Sequence, residues 1–308
     1  METSQKVTEV GYIRSTPEPT RFPAPDRATI ANVLVGITGT PALPAKIELA
    51  IDLHRRNGAA ITGLSIIDVA RLDPASPVPI GALSFAKQMR ERRFRVSRSR
   101  AIDALETFSQ GCRAANVPVD VRLIEDEPVE VITNQAHFAD LIVLPVDGWF
   151  TYGLISHAET RLSEVLLRGA GPIITVGESY APSNEVVVGL DGSLAAANAF
   201  KKYVQLGLWP NARLHLVHAV EEGWPEQETA VSEMMDGALA YAQRFERTAV
   251  AHVMSGAAKD AFQGVIRETG AKAAVLGSDR RRLFADKRLT TVTKKLTRDD
   301  GISVLIAG

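Results

Sequence analysis

Short apolar runs of strand length alternate along the chain with longer segments whose apolar residues recur at helical spacing. Uninterrupted runs such as Leu141 to Leu144 are typical of strands covered on both faces. The alternation of strand and helix predicts βαβ units and a parallel sheet, hence an α/β fold. Helices are predicted over 43–57, 82–115, 128–138 and 154–169, then over 195–207, 227–246, 258–269 and 284–299.

The second set of elements repeats the first. Residues 31–40 (ANVLVGITGT) resemble residues 184–193 (NEVVVGLDGS): each is an apolar run, a small polar turn and the start of a helical pattern. Two later pairs follow in the same order, 139–144 with 271–276 and 171–176 with 301–306. Weaker third strands are predicted at 117–124 and 248–254. The repeat predicts a flexible extension over 1–27, one domain over 28–178, a linker over 179–183 and a second domain over 184–308.

Composition narrows the classes of function. The formal net charge is -1, so no global field draws the chain to nucleic acid or to a membrane, and neither is expected as a partner. No apolar run is long enough for a transmembrane helix, and the first 27 residues do not resemble a signal peptide. Cys112 is the one cysteine, which fits a reducing compartment, and we expect a cytoplasmic protein.

The stretch Lys87 to Arg100 contains seven basic residues and one acidic residue, Glu91. Two interpretations are open: a solvated face of a long helix, or a face that binds phosphate or a partner.

Residues 188–193 (VGLDGS) and 214–220 (LHLVHAV) resemble the first and second strands of the universal stress protein family. The resemblance covers both halves, 28–178 and 184–308. It implies two tandem flavodoxin-like domains, each a five-stranded parallel sheet of order 3-2-1-4-5 flanked by helices. It also implies a pseudo-twofold pair inside the chain through the last strands, 172–176 and 302–306, with a homodimer also open. The implied role is stress adaptation.

Members of this family that bind ATP have a Gly-x2-Gly-x9-Gly-Ser/Thr loop after the fourth strand. Glycines let main-chain N–H groups approach phosphates closely, and the next helix N-terminus favours anions. The second half keeps the spacing with other residues, since Arg280 stands at the second glycine position and Thr290 at the third. The implied nucleotide-binding residues are Asp191, Gly192, Ser193, Ala219, Gly277, Ser278, Arg280, Thr290, Thr291 and Val292.

The first half departs further from that loop. Pro145 and Asp147-Gly148 replace its opening, Glu159 falls where a carboxylate would repel phosphate, and Thr38 stands at the position of Asp191. The sequence therefore predicts that any ATP or ADP binds the second half and not the first. Asp191 itself has two interpretations, as a ligand of the adenosine group or as a turn residue that caps the next helix.

Three functions remain open. The first is binding of an adenine nucleotide, ATP, in the second half. The second is a nucleotide-independent dimerisation or protein-interaction module with degenerate sites, and the third is a weak nucleotide hydrolase. No catalytic residue and no metal ligand is identified, because the chain has no Gly-x-Ser-x-Gly elbow and no metal-binding Cys/His set. His215 and His218 are three apart on a predicted strand and would face opposite sides of the sheet.

Overall fold

The computed structural model describes residues 30–72, 83–145, 149–154, 161–220, 228–278 and 301–308. The predicted extension over 1–27 and the predicted helix over 284–299 lie outside these residues. The strands are β1 (Asn32–Gly36), β2 (Ala60–Ile67), β3 (Val119–Glu125), β4 (Leu141–Leu144), β5 (Ile173–Thr175), β6 (Glu185–Gly189), β7 (Arg213–Val220), β8 (Ala249–Ser255), β9 (Ala273–Gly277) and β10 (Ser303–Ala307).

Eight α-helices are described between these strands. They are α1 (Leu43–Asn57), α2 (Val69–Leu72), α3 (Leu83–Ala114), α4 (Pro128–Gln135), α5 (Leu162–Leu167), α6 (Leu194–Leu206), α7 (Glu228–Arg244) and α8 (Ala258–Thr269). A 3-10 turn over Ala136–Phe138 extends α4. Among the described residues, no helix is long and apolar enough to cross a membrane.

All ten strands form one sheet in the order β3-β2-β1-β4-β5-β10-β9-β6-β7-β8. Each half keeps the expected order 3-2-1-4-5, so the parallel α/β prediction is confirmed. The two five-stranded sets are not separate sheets, however. They join edge to edge through β5 and β10, the single antiparallel pair among the described strands, with Ile174 opposite Leu305. The predicted pairing of the last strands inside the chain is thereby confirmed.

The strands next to the middle of each half are buried on both faces. Every residue of β4 is buried, as are Ala273 to Leu276 of β9. The amino end of β1 is fixed to β4 by Asp140, whose Oδ2 accepts hydrogen bonds from the main-chain N–H groups of Ala31 (2.8 Å) and Asn32 (3.0 Å). Helices cover such a sheet on both sides because the strand order runs outward from β1 first in one direction and then in the other, and right-handed crossovers in opposite directions lie on opposite faces.

The basic stretch Lys87 to Arg100 forms part of α3. Lys87, Arg92, Arg93 and Arg95 are exposed, whereas Arg100 donates a 2.6 Å hydrogen bond to the main-chain oxygen of Tyr152. This arrangement agrees with the interpretation of the stretch as the solvated face of a long helix.

Candidate functional site

The candidate site lies where β6 and β9 end side by side. The chain leaves β6 toward β7 on one side, whereas β9, the other neighbour of β6, lies on the opposite side. In open α/β sheets, ligands bind in the crevice beyond the carboxyl ends of strands at this kind of switch point. Both sequence motifs of the second half, 189–193 and 277–278, fall at this edge.

The turn after β6 uses its polar side chains for its own structure. Asp191 Oδ1 accepts a 3.0 Å hydrogen bond from the N–H of Ser193, and Ser193 Oγ accepts one of 3.1 Å from the N–H of Ala196. Ser193 is thus the N-cap of α6. Gly192 adopts φ +80°, which favours glycine. Asp191 therefore forms the turn, whereas the cap of α6 is Ser193 and not Asp191, and the Asp191 carboxylate is exposed to solvent.

Gly277 ends β9 directly against the first turn of α6. A Cβ atom there would lie 2.4 Å from the N atom of Ala196, closer than any real contact allows. Only glycine permits this approach, which brings the β9 carboxyl end and the α6 N-terminus together. Main-chain N–H groups at the start of a helix are the donors that anions prefer.

Ser278 and Ala219 complete the described part of the predicted site. Ser278 is 7% exposed, and its main-chain N–H donates to the oxygen of Ala307 at 2.8 Å. Its Oγ is buried, and no hydrogen-bond partner for it occurs among the described residues. Ala219 is half-buried near the end of β7, next to His218, whose Nδ1 lies 2.6 Å from the Leu190 oxygen.

The structure therefore brings together the first turn of α6 with the ends of β6 and β9. Arg280, Thr290, Thr291 and Val292 lie outside the described residues, as do Asp147, Gly148 and Glu159 of the first half.

The corresponding edge of the first half is filled by its own side chains. Trp149, Phe150 and Tyr152 are at most 4% exposed, and a Cβ on Gly36 would lie 3.3 Å from the Phe150 ring. The Tyr152 hydroxyl donates to the Ile66 oxygen at 2.8 Å. Thr38, at the position that matches Asp191, is itself buried. The aromatic run after Pro145 was the sequence signal for this filling, which the sequence analysis missed.

A lysine also occupies this edge of the first half. Lys46 is fully buried, and its Nζ donates hydrogen bonds to the Gly36 oxygen (2.7 Å) and to Thr38 Oγ1 (3.4 Å). Burial lowers the pKa of the Lys46 amine to about 7. The Lys46 amine therefore lies at the carboxyl end of β1. The equivalent position in the second half is occupied by the exposed turn of Asp191.

A second polar cluster lies across β6, β7 and β8. His215 Nε2 is 2.7 Å from Glu185 Oε2, and His215 Nδ1 is 2.9 Å from His252 Nε2. Sequence reasoning considered His215 only with His218, so it missed both partners. Among the described residues, no group of three or more His, Cys, Asp or Glu side chains is arranged to hold a metal ion.

Comparisons with known proteins agree with this architecture. Residues 183–307 match the model of the universal stress protein family. A universal stress protein from Archaeoglobus fulgidus has a similar structure, with a TM-score of 0.61 at 17% identity, over 91% of this chain and 96% of that one. A functionally unknown protein from Pseudomonas aeruginosa gives 0.57 at 13% identity, over 90% and 92%. A putative universal stress protein from the same organism gives 0.56 at 12% identity, over 90% and 93%.

At such identities these likenesses show the fold alone, and they extend over both halves of the chain. A search of the curated proteins found no match. The assignment to the family is based on the match of residues 183–307, and the strand order of the structure agrees with it. Residues 183–307 of this chain are therefore a domain of the universal stress protein family.

Proposed function

We propose that the second half binds an adenine nucleotide, ATP, at the switch point between β6 and β9, and that the protein acts by binding rather than as an enzyme. The observation that carries the proposal is the close approach of Gly277 to Ala196. It puts the N-terminus of α6, the exposed carboxylate of Asp191 and the end of β9 around one crevice. The family match over the same residues supports a role in stress adaptation, which we place in the cytoplasm.

The chemistry of the two ends of this crevice suits the two ends of a nucleotide. A carboxylate accepts hydrogen bonds from ribose hydroxyls or from the adenine amino group, and Asp191 is the acidic residue that the structure describes at the crevice. The main-chain N–H groups of the α6 N-terminus are donors, which suit phosphate oxygens, and Ser278 borders this end of the crevice. Arg280 and Thr291 are proposed to contact the phosphates on the resemblance alone.

The test is calorimetric titration of ATP into the full chain. Asp191→Ala should weaken binding by about ten-fold or more, because it removes hydrogen bonds to a charged acceptor, each of which contributes about 1.5–3 kcal/mol. Asp191→Asn keeps an acceptor for the Ser193 N–H and therefore separates the loss of charge from the loss of the turn. Thr38→Ala is the matched change in the first half and should leave ATP binding unchanged.

Arg280 is tested in the same way. If its guanidinium holds phosphate in place of the lost glycine contacts, Arg280→Ala should weaken ATP binding by about ten-fold. Affinity for ATP that is equal in wild type and Arg280→Ala would remove Arg280 from the site and leave Asp191 and the α6 N-terminus to explain the binding.

A second candidate function is a nucleotide-independent interaction module. The filled site of the first half favours it, because Trp149, Phe150 and Lys46 show that one copy of the fold persists without an open crevice. Native mass spectrometry of the freshly purified protein separates the two candidates. Copurified nucleotide supports the first, and a defined oligomer without nucleotide supports the second.

A further inference from the structure

A cleft runs between the two halves, beside Ser278 and the outer part of α6. It consists of two adjoining cavities of about 470 Å³ and about 360 Å³, which share Gly169, Gly171, Pro172 and Lys202 in their linings. The segment before β5 forms one wall, and α6 forms the other. We call the two cavities together the junction cleft.

Basic side chains from both halves line the junction cleft. Lys201 and Lys202 come from α6, and Arg168 follows α5. Among the described residues, no ion-pair partner occurs for any of these three cations. Asp140 is the one side-chain carboxylate in the described lining, and its Oδ2 already accepts two main-chain hydrogen bonds at the start of β1. The described side chains of the cleft, three cations and one carboxylate, therefore carry a net positive charge.

A buried hydroxyl points to a ligand independently of these charges. Ser278 lines the larger cavity, is 7% exposed, and has an Oγ without a hydrogen-bond partner among the described residues. Buried polar atoms are nearly always satisfied, so an orphan beside a cavity indicates a partner that occupies the cavity. Asn198 and Gln205 add amide donors to the same wall.

We propose that the junction cleft binds a polyphosphate group. The ammonium and guanidinium groups and the amide N–H groups are donors, which suits an anion rich in acceptor oxygens. The cations are divided between two cavities that meet at Lys202, which fits an elongated anion with several charges better than a single phosphate. The junction cleft needs both halves of the chain, whereas the proposed nucleotide site needs only the second half, and Ser278 borders both.

The probe is inorganic tripolyphosphate, titrated calorimetrically into the full chain at low ionic strength. Wild type should bind it, and Lys202→Ala should weaken binding by about ten-fold or more, because Lys202 lines both cavities. Arg168→Ala should weaken binding as well. Lys272→Ala is the control, since Lys272 is an exposed lysine that precedes β9 at the opposite end of that strand. Circular dichroism should show that these surface variants fold like wild type.

Two results would overturn the proposal: no binding by wild type, or equal binding by wild type and Lys202→Ala. Ser278 borders both sites, so Asp191→Ala is the variant that separates them. It should keep tripolyphosphate binding, and a loss as complete as that of Lys202→Ala would place the anion at the nucleotide site instead. If the nucleotide proposal fails, the protein should still bind tripolyphosphate, and its affinity for ATP should be the same in wild type and Asp191→Ala. Comparing the affinities of Asp191→Ala for ATP and for tripolyphosphate then shows whether the junction cleft prefers a phosphate chain that is linked to a nucleoside or a free one.

Discussion

The phenolic oxygen of Tyr180 lies 2.5 Å from Oδ2 of Asp52, to which it donates a hydrogen bond. The same oxygen accepts a 3.2 Å hydrogen bond from Nε1 of Trp209. Asp52 belongs to α1 and Trp209 follows α6, so Tyr180, within the predicted linker over 179–183, connects α1 of the first half to the turn after α6 of the second. Burial raises the pKa of Tyr180, and the hydrogen bond to Asp52 raises it further, so the phenol stays protonated and can donate. The connection between the halves is therefore anchored rather than free.

Tyr180→Phe should destabilise the protein by about 1–2 kcal/mol. The change removes a partly buried hydrogen bond to a carboxylate and leaves the buried Trp209 N–H without the Tyr180 oxygen. Urea denaturation at pH 7 measures the effect. Tyr241→Phe is the control, because the Tyr241 hydroxyl makes only a 3.3 Å contact with Gln205 at the surface. An equal, small effect of both changes would contradict the anchoring role.

The sequence predicted the fold well, and the reason is local. Continuous apolar runs identify buried strands, and the repeat divides them into two equivalent sets, whereas their order in the sheet was implied by the family resemblance. Helix α1 begins and ends where predicted because Pro44 occupies its first turn and Gly58 takes the left-handed conformation at its end. Helix α8 ends in the same way at Gly270.

The sites were less predictable because their contacts join residues that are distant in sequence. From the sequence, a lysine at position 46 of a helix is expected to be exposed to solvent. Only the packing of α1 against β1 shows that its amine is buried. The contact of Glu185 and His252 with His215 depends on the registers of three neighbouring strands, β6, β7 and β8. The net positive charge of the junction cleft requires the antiparallel meeting of β5 and β10.

Lys46 should make the stability of the protein rise with pH between about 7 and 10. Its folded pKa of about 7 lies below its unfolded value near 10.5, so the unfolded state binds more protons in this window. The full contribution is present above the unfolded pKa and is lost as the pH falls toward 7. A single such group gives an increase of about 2 kcal/mol between pH 7 and pH 9.

Urea denaturation at pH 7, 8 and 9 measures this slope in wild type and in Lys46→Met. The variant should lose most of the increase, since methionine fills similar volume without a charge. Lys272→Met replaces an exposed lysine and should keep the slope of wild type. A slope that is the same in Lys46→Met and wild type would show that the amine is not the titrating group.

Gly277→Ala should destabilise the protein by about 1–3 kcal/mol, because overpacking forces either α6 or β9 to move. The added methyl group would meet the backbone of Ala195 and Ala196, which cannot rotate away. Gly237→Ala is the matched control in α7, where a Cβ would meet nothing within 4 Å, and it should stabilise by about 0.5–1 kcal/mol. Thermal or urea denaturation of both variants measures the two effects. Stabilisation by both changes would show that α6 and β9 do not approach as closely as described.

His252 should titrate below the usual value for histidine. Partial burial lowers the pKa of His252 most, the charge of His215 lowers it further, and Glu268 opposes both. The neutral form is therefore favoured in the folded protein, so this group's contribution to stability is present above the unfolded histidine pKa and is lost as the pH falls through the folded value.

His215→Phe should raise the pKa of His252 without restoring the usual value, because the burial remains. Glu268→Gln should lower it instead. Proton NMR of the His252 ring measures all three titrations, and a midpoint that is the same in wild type and His215→Phe would rule out coupling between the two rings. Opposite shifts in the two variants would show that charges on β7 and α8 together set the protonation of a histidine on the edge strand β8.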